Sequence, residues 1–248
     1  MVNDVLNKFD SISLEEMDKV ALMDRIETKF VLSLNKLPMV LDCIKNDYRV
    51  VSFDDNKTPA YRTLYFDTDS LFFYHEHHRK RKDRYKVRFR NYVDSNITFL
   101  EVKHKKNGRV DKQRIKVQNE KINLSQEDEL FLKEAKILKN DLKLKLINNY
   151  SRITLVSKSS VERVTIDFNI RFQFNEQSSQ LENIGIIELK QPFLSRETSV
   201  FRALRDLQIT PYNVSKYCIG VIKTHGKENV KYNRFKKKLI RLDKITQE

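Results

Sequence analysis

Residues 85–90 read Tyr85-Lys86-Val87-Arg88-Phe89-Arg90. Successive side chains of a β-strand point to opposite faces. This stretch therefore sets Lys86, Arg88 and Arg90 on one face and an apolar, aromatic row on the other. The same alternation recurs on both sides of it. Upstream, Arg25, Glu27 and Lys29 oppose Ile26 and Phe30. Downstream, Glu101, Lys103 and Lys105 oppose Leu100 and Val102, and Lys112, Arg114 and Lys116 oppose Ile115 and Val117. Further on, Arg163 and Asp167 are flanked by Val164, Ile166 and Phe168, and Glu188 and Lys190 by Ile187 and Leu189. A closed sheet with a charged interior carries this pattern, and such an interior holds a polyanion.

One strand of this kind is an ordinary half-exposed strand with its charges in water. A set of them is different, because like charges adjacent on a strand or across a ladder repel. An anionic ligand relieves that repulsion. The carboxylates Glu27, Glu101, Asp167 and Glu188 stand singly among the cations. Hard oxygen donors so placed suit Mg²⁺ or Mn²⁺ beside phosphate.

Composition agrees. The chain has 248 residues with 48 Lys plus Arg against 34 Asp plus Glu, a formal charge of +14. That surplus points to an acidic partner. With only 4 Gly and 4 Pro, no flexible linker is evident, and a single domain spanning 1–248 is expected. Cys43 and Cys218 fit neither a disulfide framework nor metal-ligand spacing, so no disulfide-linked partner is expected. Met1 to Asp10 lacks the apolar segment of a secretory signal, and no run approaches the ~20 apolar residues of a membrane span. A cytoplasmic chain is expected.

Strands are expected over Arg25–Leu34, Tyr48–Phe53, Tyr61–Asp67, Arg84–Val93, Thr98–Lys105, Val110–Val117, Leu144–Val156, Val161–Phe174 and, last, Ile184–Lys190. Lys106-Asn107-Gly108 signals a hairpin. Ser13 with Glu16 forms a capping box for a helix to about Val20. Asn35 is expected to cap a helix carrying Leu37, Val40, Leu41 and Ile44. A short helix or a turn is expected over Ser70–His78, and further helices over Glu127–Leu138, Ser195–Leu207 and Ser215–Lys223, with a basic helical tail over 229–248. The fold class is α+β: an antiparallel β-barrel with peripheral helices.

Taken in order, Arg25-Ile26-Glu27-Thr28-Lys29-Phe30, Tyr65-Phe66-Asp67, Lys86-Val87-Arg88-Phe89-Arg90, Glu101-Val102-Lys103, Gly108 to Arg114, Ser151-Arg152, Arg163 to Asp167, Ile187-Glu188-Leu189-Lys190 and Ser215-Lys216-Tyr217 resemble the VTC domain over about residues 20–225. That domain is the polyphosphate polymerase module of vacuolar transporter chaperone complexes, also found in bacteria. It belongs to the CYTH-like triphosphate tunnel metalloenzymes, which bind phosphate inside a barrel. The resemblance implies phosphate contacts from Lys29, Arg88, Arg90, Lys103, Lys112, Arg114, Arg152, Arg163 and Lys216. It implies Glu188 as ligand to Mn²⁺ or Mg²⁺, with Arg88, Arg90, Lys103 and Glu188 closest to the chemistry. The broader superfamily carries Glu-x-Glu-x-Lys in its first strand. Arg25 replaces the first acid here, which counts against a triphosphatase that needs both acids.

The implied activity is transfer of the γ-phosphoryl group of ATP to a growing polyphosphate chain. Two alternatives stay open: a tunnel triphosphatase, and a non-catalytic module that binds polyphosphate or an inositol pyrophosphate. Walker A, Gly-x-Gly-x-x-Gly and Gly-x-Ser-x-Gly motifs are absent, which argues against glycine-loop nucleotide binding and acyl chemistry. His75, His77 and His78 lack a completing ligand and read as a surface run. Cations on alternating strand positions, with aromatics read on the opposite parity, favour a lumen over a nucleic-acid platform. The run Lys231, Arg234, Lys236, Lys237, Lys238 and Arg241 reads as a solvated helix or as a contact for polyphosphate or the inner face of an anionic membrane. A membrane-protein partner is compatible with it.

Overall fold

The computed structural model describes residues 2–18, 26–107 and 109–247. Arg25, the end of the first capped helix near Val20, and Gly108 lie outside the described residues.

Among the described residues, eleven strands join one sheet. They are β1 (Ser11–Ile12), β2 (Ile26–Ser33), β3 (Tyr48–Val51), β4 (Ala60–Asp67), β5 (Asp83–Tyr92), β6 (Ile97–Lys106), β7 (Arg109–Val117), β8 (Lys143–Ser157), β9 (Arg163–Phe174), β10 (Gln177–Leu181) and β11 (Ile184–Gln191). The main path runs β2-β11-β9-β8-β4-β5-β6-β7, with β3 on β8, β1 on β3 and β10 on β9. Every pairing is antiparallel except β1 with β3. Register shifts at Tyr65/Phe66 in β4 and Asn149/Ser151 in β8 bend the sheet, as bulges do. The sheet curls into a half-barrel.

No backbone ladder joins the end strands β2 and β7 among the described residues. Side chains span the interval instead: Lys103 of β6 reaches Glu27 of β2 at 3.2 Å. The free edge of β2 is covered by the segment 210–212, where the Tyr212 amide donates to the Lys29 carbonyl at 2.6 Å.

Helices cover the convex face. Phe30, Leu32, Ile153, Leu155, Val164, Ile166, Ile187 and Leu189 pack under α1 (Val2–Leu6), α3 (Leu37–Ile44) and α6 (Ser199–Asp206). Leu64, Phe66, Val87, Phe89, Leu100 and Val102 pack with Phe73 of α4 (Phe72–His78) and Phe131 and Leu132 of α5 (Gln126–Glu134). The apolar parity of each strand thus faces outward into helices, which leaves the charged parity on the concave face. The remaining helices are α2 (Leu14–Asp18), α7 (Lys216–His225) and α8 (Lys236–Thr246). A second, apolar part of the concave face, formed by Val31, Leu146, Ile170, Phe172, Ile184 and Ile186, is filled by α7 and α8. Tyr217, Cys218, Ile219, Val221 and Ile222 of α7 are all buried, so this helix is enclosed on every side.

Most expected elements appear, with boundaries shifted by a residue or two at many ends. The Ser13–Glu16 capping box is formed, each backbone amide bonded to the other side chain. Asn35 does not cap α3. Ser33 caps a short 3₁₀ turn, accepting from the Asn35 amide at 3.3 Å, and α3 continues from it. Helix α5 stops at Glu134 rather than Leu138 because Lys136 adopts φ 61°, outside right-handed helix geometry. Strands β1 and β10 were not anticipated. β10 (Gln-Ser-Ser-Gln-Leu) carries no hydrophobic alternation and is recruited by its hairpin with β9.

Candidate functional site

The charged side chains of the concave face form a cage. On β5 and β6 the registers place Arg88 opposite Glu101 and Lys86 opposite Lys103, while β7 brings Lys112 opposite Lys103. Glu101 is fully buried. It accepts from Arg88 Nε at 2.8 Å, lies 3.9 Å from Arg90 Nη1, and pairs with Lys112 at 2.5 Å. Burial alone would raise its carboxyl, but Arg88, Arg90 and Lys112 hold it far below the usual carboxylate range.

Asp167 on β9 plays the same part across the cage. It accepts from Arg152 Nε at 2.6 Å and Nη2 at 2.9 Å, and pairs with Lys216. Lys216 arrives from the first turn of α7, whose cap Ser215 accepts from the Cys218 amide at 3.3 Å and from Lys86 Nζ at 3.1 Å. Two buried carboxylates thus hold cations from four different elements, β5, β7, β8 and α7, in one geometry.

The remaining pair of acids is more open. Glu27 and Glu188 have side-chain exposures of 16% and 22%, against 1% for Glu101 and 4% for Asp167. On the β2–β11 ladder Glu188 lies opposite Lys29, and Lys190 opposite Glu27. Lys29 pairs with Glu188 and lies 3.7 Å from Glu27; Lys190 lies 3.2 Å from Glu188. Burial would raise the Glu188 carboxyl, yet Lys190, Lys29 and Lys103 hold it well below its ordinary value. It is ionised at neutral pH, as a metal ligand must be.

Several buried polar atoms of the same face have no hydrogen-bond partner: Thr63 Oγ1, Arg90 Nε, Tyr150 Oη and Thr165 Oγ1. Buried polar groups are normally satisfied, so these atoms are set for something that enters. Burial lowers the Lys86 ammonium to about 8 and the Lys112 ammonium to about 8. Tyr65, which accepts from Arg88 Nη1 at 3.4 Å, is raised by burial but lowered overall to about 8 by Arg88, Lys86, Arg90 and Lys216.

Of the residues singled out from sequence, Lys29, Arg88, Arg90, Lys103, Lys112, Arg152, Lys216 and Glu188 come together here. Arg163 lies at the rim, donating to the Met17 carbonyl of α2 at 3.2 Å. Arg114 lies on the same face, opposite Glu101 on the β6–β7 ladder, but it is exposed and stacks over the Phe99 ring at 4.4 Å. The parity reading of aromatics needs correction. Tyr61, Tyr65, Phe99 and Tyr150 share the concave face with the cations, since Tyr65 is opposite Arg88, Phe99 is opposite Arg90, and Arg152 lies over the Tyr61 and Tyr150 rings. Tyr61, Tyr65 and Tyr150 are buried and so form no exposed stacking platform. Tyr150 was missed although it stands two residues before Arg152, because attention to charge alone passes over a phenol of the right parity.

The sequence profile of the VTC domain matches residues 24–225. The chain belongs to the VTC domain family. No curated protein matches it. Among solved structures, this VTC domain is similar to a Hippeastrum protein described as a candidate adenylyl cyclase with a dominant triphosphatase activity. The two share a TM-score of 0.50 and 14% identity over 79% of this chain and 94% of that one. It is also similar to a conserved hypothetical protein of Pyrococcus furiosus, at TM-score 0.44 and 10% identity, covering 79% and 99% of the two chains. The Hippeastrum likeness is one of fold: a curled antiparallel sheet with a few helices.

Proposed function

We propose that this VTC domain is a metal-dependent polyphosphate polymerase, transferring the γ-phosphoryl group of ATP to the end of a polyphosphate chain held in the curl of the sheet. The observation that carries this reading is the concave cage itself. Its cations are locked by the buried carboxylates Glu101 and Asp167, and unpartnered donors and acceptors stand among them. Phosphoryl transfer needs positioning and charge neutralisation more than covalent help. Arg88, Arg90, Lys103 and Lys112 are assigned to the phosphates from one wall, and Lys29, Arg152 and Lys216 from the other. Arg163 guards the rim.

The bond that forms joins a terminal polymer oxygen to the γ-phosphorus, and the bond that breaks is the one to the β-phosphate oxygen, releasing ADP. The attacking oxygen is already anionic, so no general base is required. No cluster of three His, Cys, Asp or Glu side chains suited to a metal occurs among the described residues. Two carboxylates completed by phosphate oxygens and water are nevertheless a normal Mg²⁺ or Mn²⁺ environment. Glu188, with Glu27 beside it, fits that role. The ion would supply charge neutralisation at the transferring group. Lys190 positions Glu188, whereas Asp167 positions Arg152 and Lys216.

Incubation with ATP and Mn²⁺, followed by gel staining for polymer and assay of released phosphate, tests the reading. Stained polymer is expected. Free phosphate without polymer would replace the polymerase with a triphosphatase, and unconsumed ATP would leave a binding module.

A further inference from the structure

Away from the cage, α8 forms one wall of a groove of 460 Å³ whose other wall carries Lys36 and Gln208. Lys237, Arg241 and Lys244 of α8 line it, and no carboxylate does among the described residues. These α8 positions are spaced i, i+4 and i+7, so they form one stripe about 10 Å long on a single helix face. Lys237 and Lys244 have no ion-pair partner among the described residues. The apolar residues beneath, Val31, Leu32, Ile209 and Ile245, are themselves buried core. Ile240 is exposed between the cations, so the accessible lining is mixed, apolar as well as ammonium, guanidinium and amide; three α8 cations with no carboxylate facing them favour a polyanion as the occupant.

The groove also connects to the cage. Its floor residues Val31 and Leu32 follow Lys29 on β2. The Tyr212 amide bonds the Lys29 carbonyl, Arg241 stacks over the Tyr212 ring at 4.3 Å, and Arg241 donates to Thr210 Oγ1 at 3.0 Å. The segment 210–212 thus joins the cage strand β2 to α8, through the Lys29 backbone on one side and Arg241 on the other.

We propose that this groove is a second phosphate-polymer site, holding the part of a polyphosphate chain that extends beyond the cage. The inference rests on the polyphosphate reading of the cage and adds to it a place for chain already outside. The two sites differ physically. Cage cations are pre-set by buried carboxylates, whereas Lys237 and Lys244 are mobile point charges, so the groove contributes a salt-sensitive, length-dependent share of binding.

The test compares tripolyphosphate with polyphosphate of about a hundred units, titrated against the full chain, the double variant Lys237→Gln/Lys244→Gln, and a charge-matched control Lys133→Gln/Lys136→Gln at the exposed end of α5, outside the groove. The groove variant is expected to lose about tenfold in long-chain affinity and to show a salt dependence shallower by about 1 to 2 in log–log slope. Its tripolyphosphate affinity should stay within about twofold of the unaltered chain. Long-chain affinity equal in the two variants overturns the proposal, as does equal weakening of both ligands. Loss of binding to phosphatidylserine vesicles with long-chain affinity intact would assign the groove to a membrane surface instead. If neither polyphosphate binds the unaltered chain, the functional reading falls with it; if long polymer binds but ignores the groove, only this inference falls.

Discussion

At the scale of single residues, the four acids of the concave face divide by exposure into two kinds. Glu101 is sealed among Arg88, Arg90 and Lys112, so Glu101→Gln leaves buried cations short of countercharge. That change is expected to destabilise the fold by about 3–5 kcal/mol, measured by urea unfolding. Glu188 is more open and is already balanced by Lys29 and Lys190. Glu188→Gln should leave the fold and tripolyphosphate binding intact while lowering turnover about a thousandfold, several kcal/mol of lost metal-assisted stabilisation. Unchanged turnover at saturating Mn²⁺ would remove Glu188 from the site.

The lysines make a pH prediction with two signs. Burial sets Lys86 and Lys112 at about 8 in the folded chain, below their ordinary 10.5, and the surrounding cations set Tyr65 at about 8, below its ordinary 10.0. Between pH 8 and those ordinary values the unfolded chain binds more protons, so these groups make the free protein more stable as pH rises through that window. Polyanion binding uses the charged Lys112 ammonium, so affinity falls over the same interval. Melting curves from pH 7 to 9.5 should show the tripolyphosphate-induced shift shrinking even as this contribution to the free protein grows. A shift constant with pH would exclude Lys112 from the contact.

At the scale of elements, α7 couples the apolar filling of the curl to its chemistry. One end carries Lys216 to Asp167 and Ser215 to Lys86; its body lies so close to the sheet that a Cβ on Gly220 would fall 2.5 Å from Leu146 Cδ2 and 2.7 Å from Phe172 Cδ1. Tyr217 ties the helix to Asp67, bonding its carboxylate at 2.5 Å, and the same carboxylate accepts from the Phe73 and Tyr74 amides of α4. Gly220→Ala gains about 1 kcal/mol of helix propensity but overpacks the interface at about 1–3 kcal/mol. A net loss of stability is expected, together with weaker tripolyphosphate binding because Lys216 shifts with the helix. A stabilised variant with unchanged affinity would mean that α7 is not held tightly against β8 and β9.

At the scale of the whole molecule, a curled sheet sorts polyanions by width. Tripolyphosphate fits the curl and should raise the melting temperature strongly by binding only the folded state. Duplex DNA, about 20 Å across, is excluded from the lumen of a small barrel and should bind only outer cations such as those of α8, with little thermal shift. That weaker binding should vanish at moderate salt because counterion release drives it. DNA that stabilised the chain as well as tripolyphosphate did, and resisted salt, would overturn the lumen reading.

Alternation at Lys86 to Arg90, and its repetition on neighbouring strands, was sufficient to place cations on one face and core residues on the other. Strand periodicity is a local property, set by backbone geometry alone. The charge surplus likewise pointed to an acidic partner before any fold was in view. Which way the charged face points was decided only by tertiary structure, because it depends on helices α3, α5 and α6 covering the apolar parity from outside. The same holds for the division of labour among the acids. Glu101 and Glu188 look alike in sequence, each one cation removed from its neighbours, and differ only in the cross-strand partners and burial that the register assigns them. Ser215 entered the site for a similar reason: the docking of α7 brings it to Lys86, and no local periodicity records that docking.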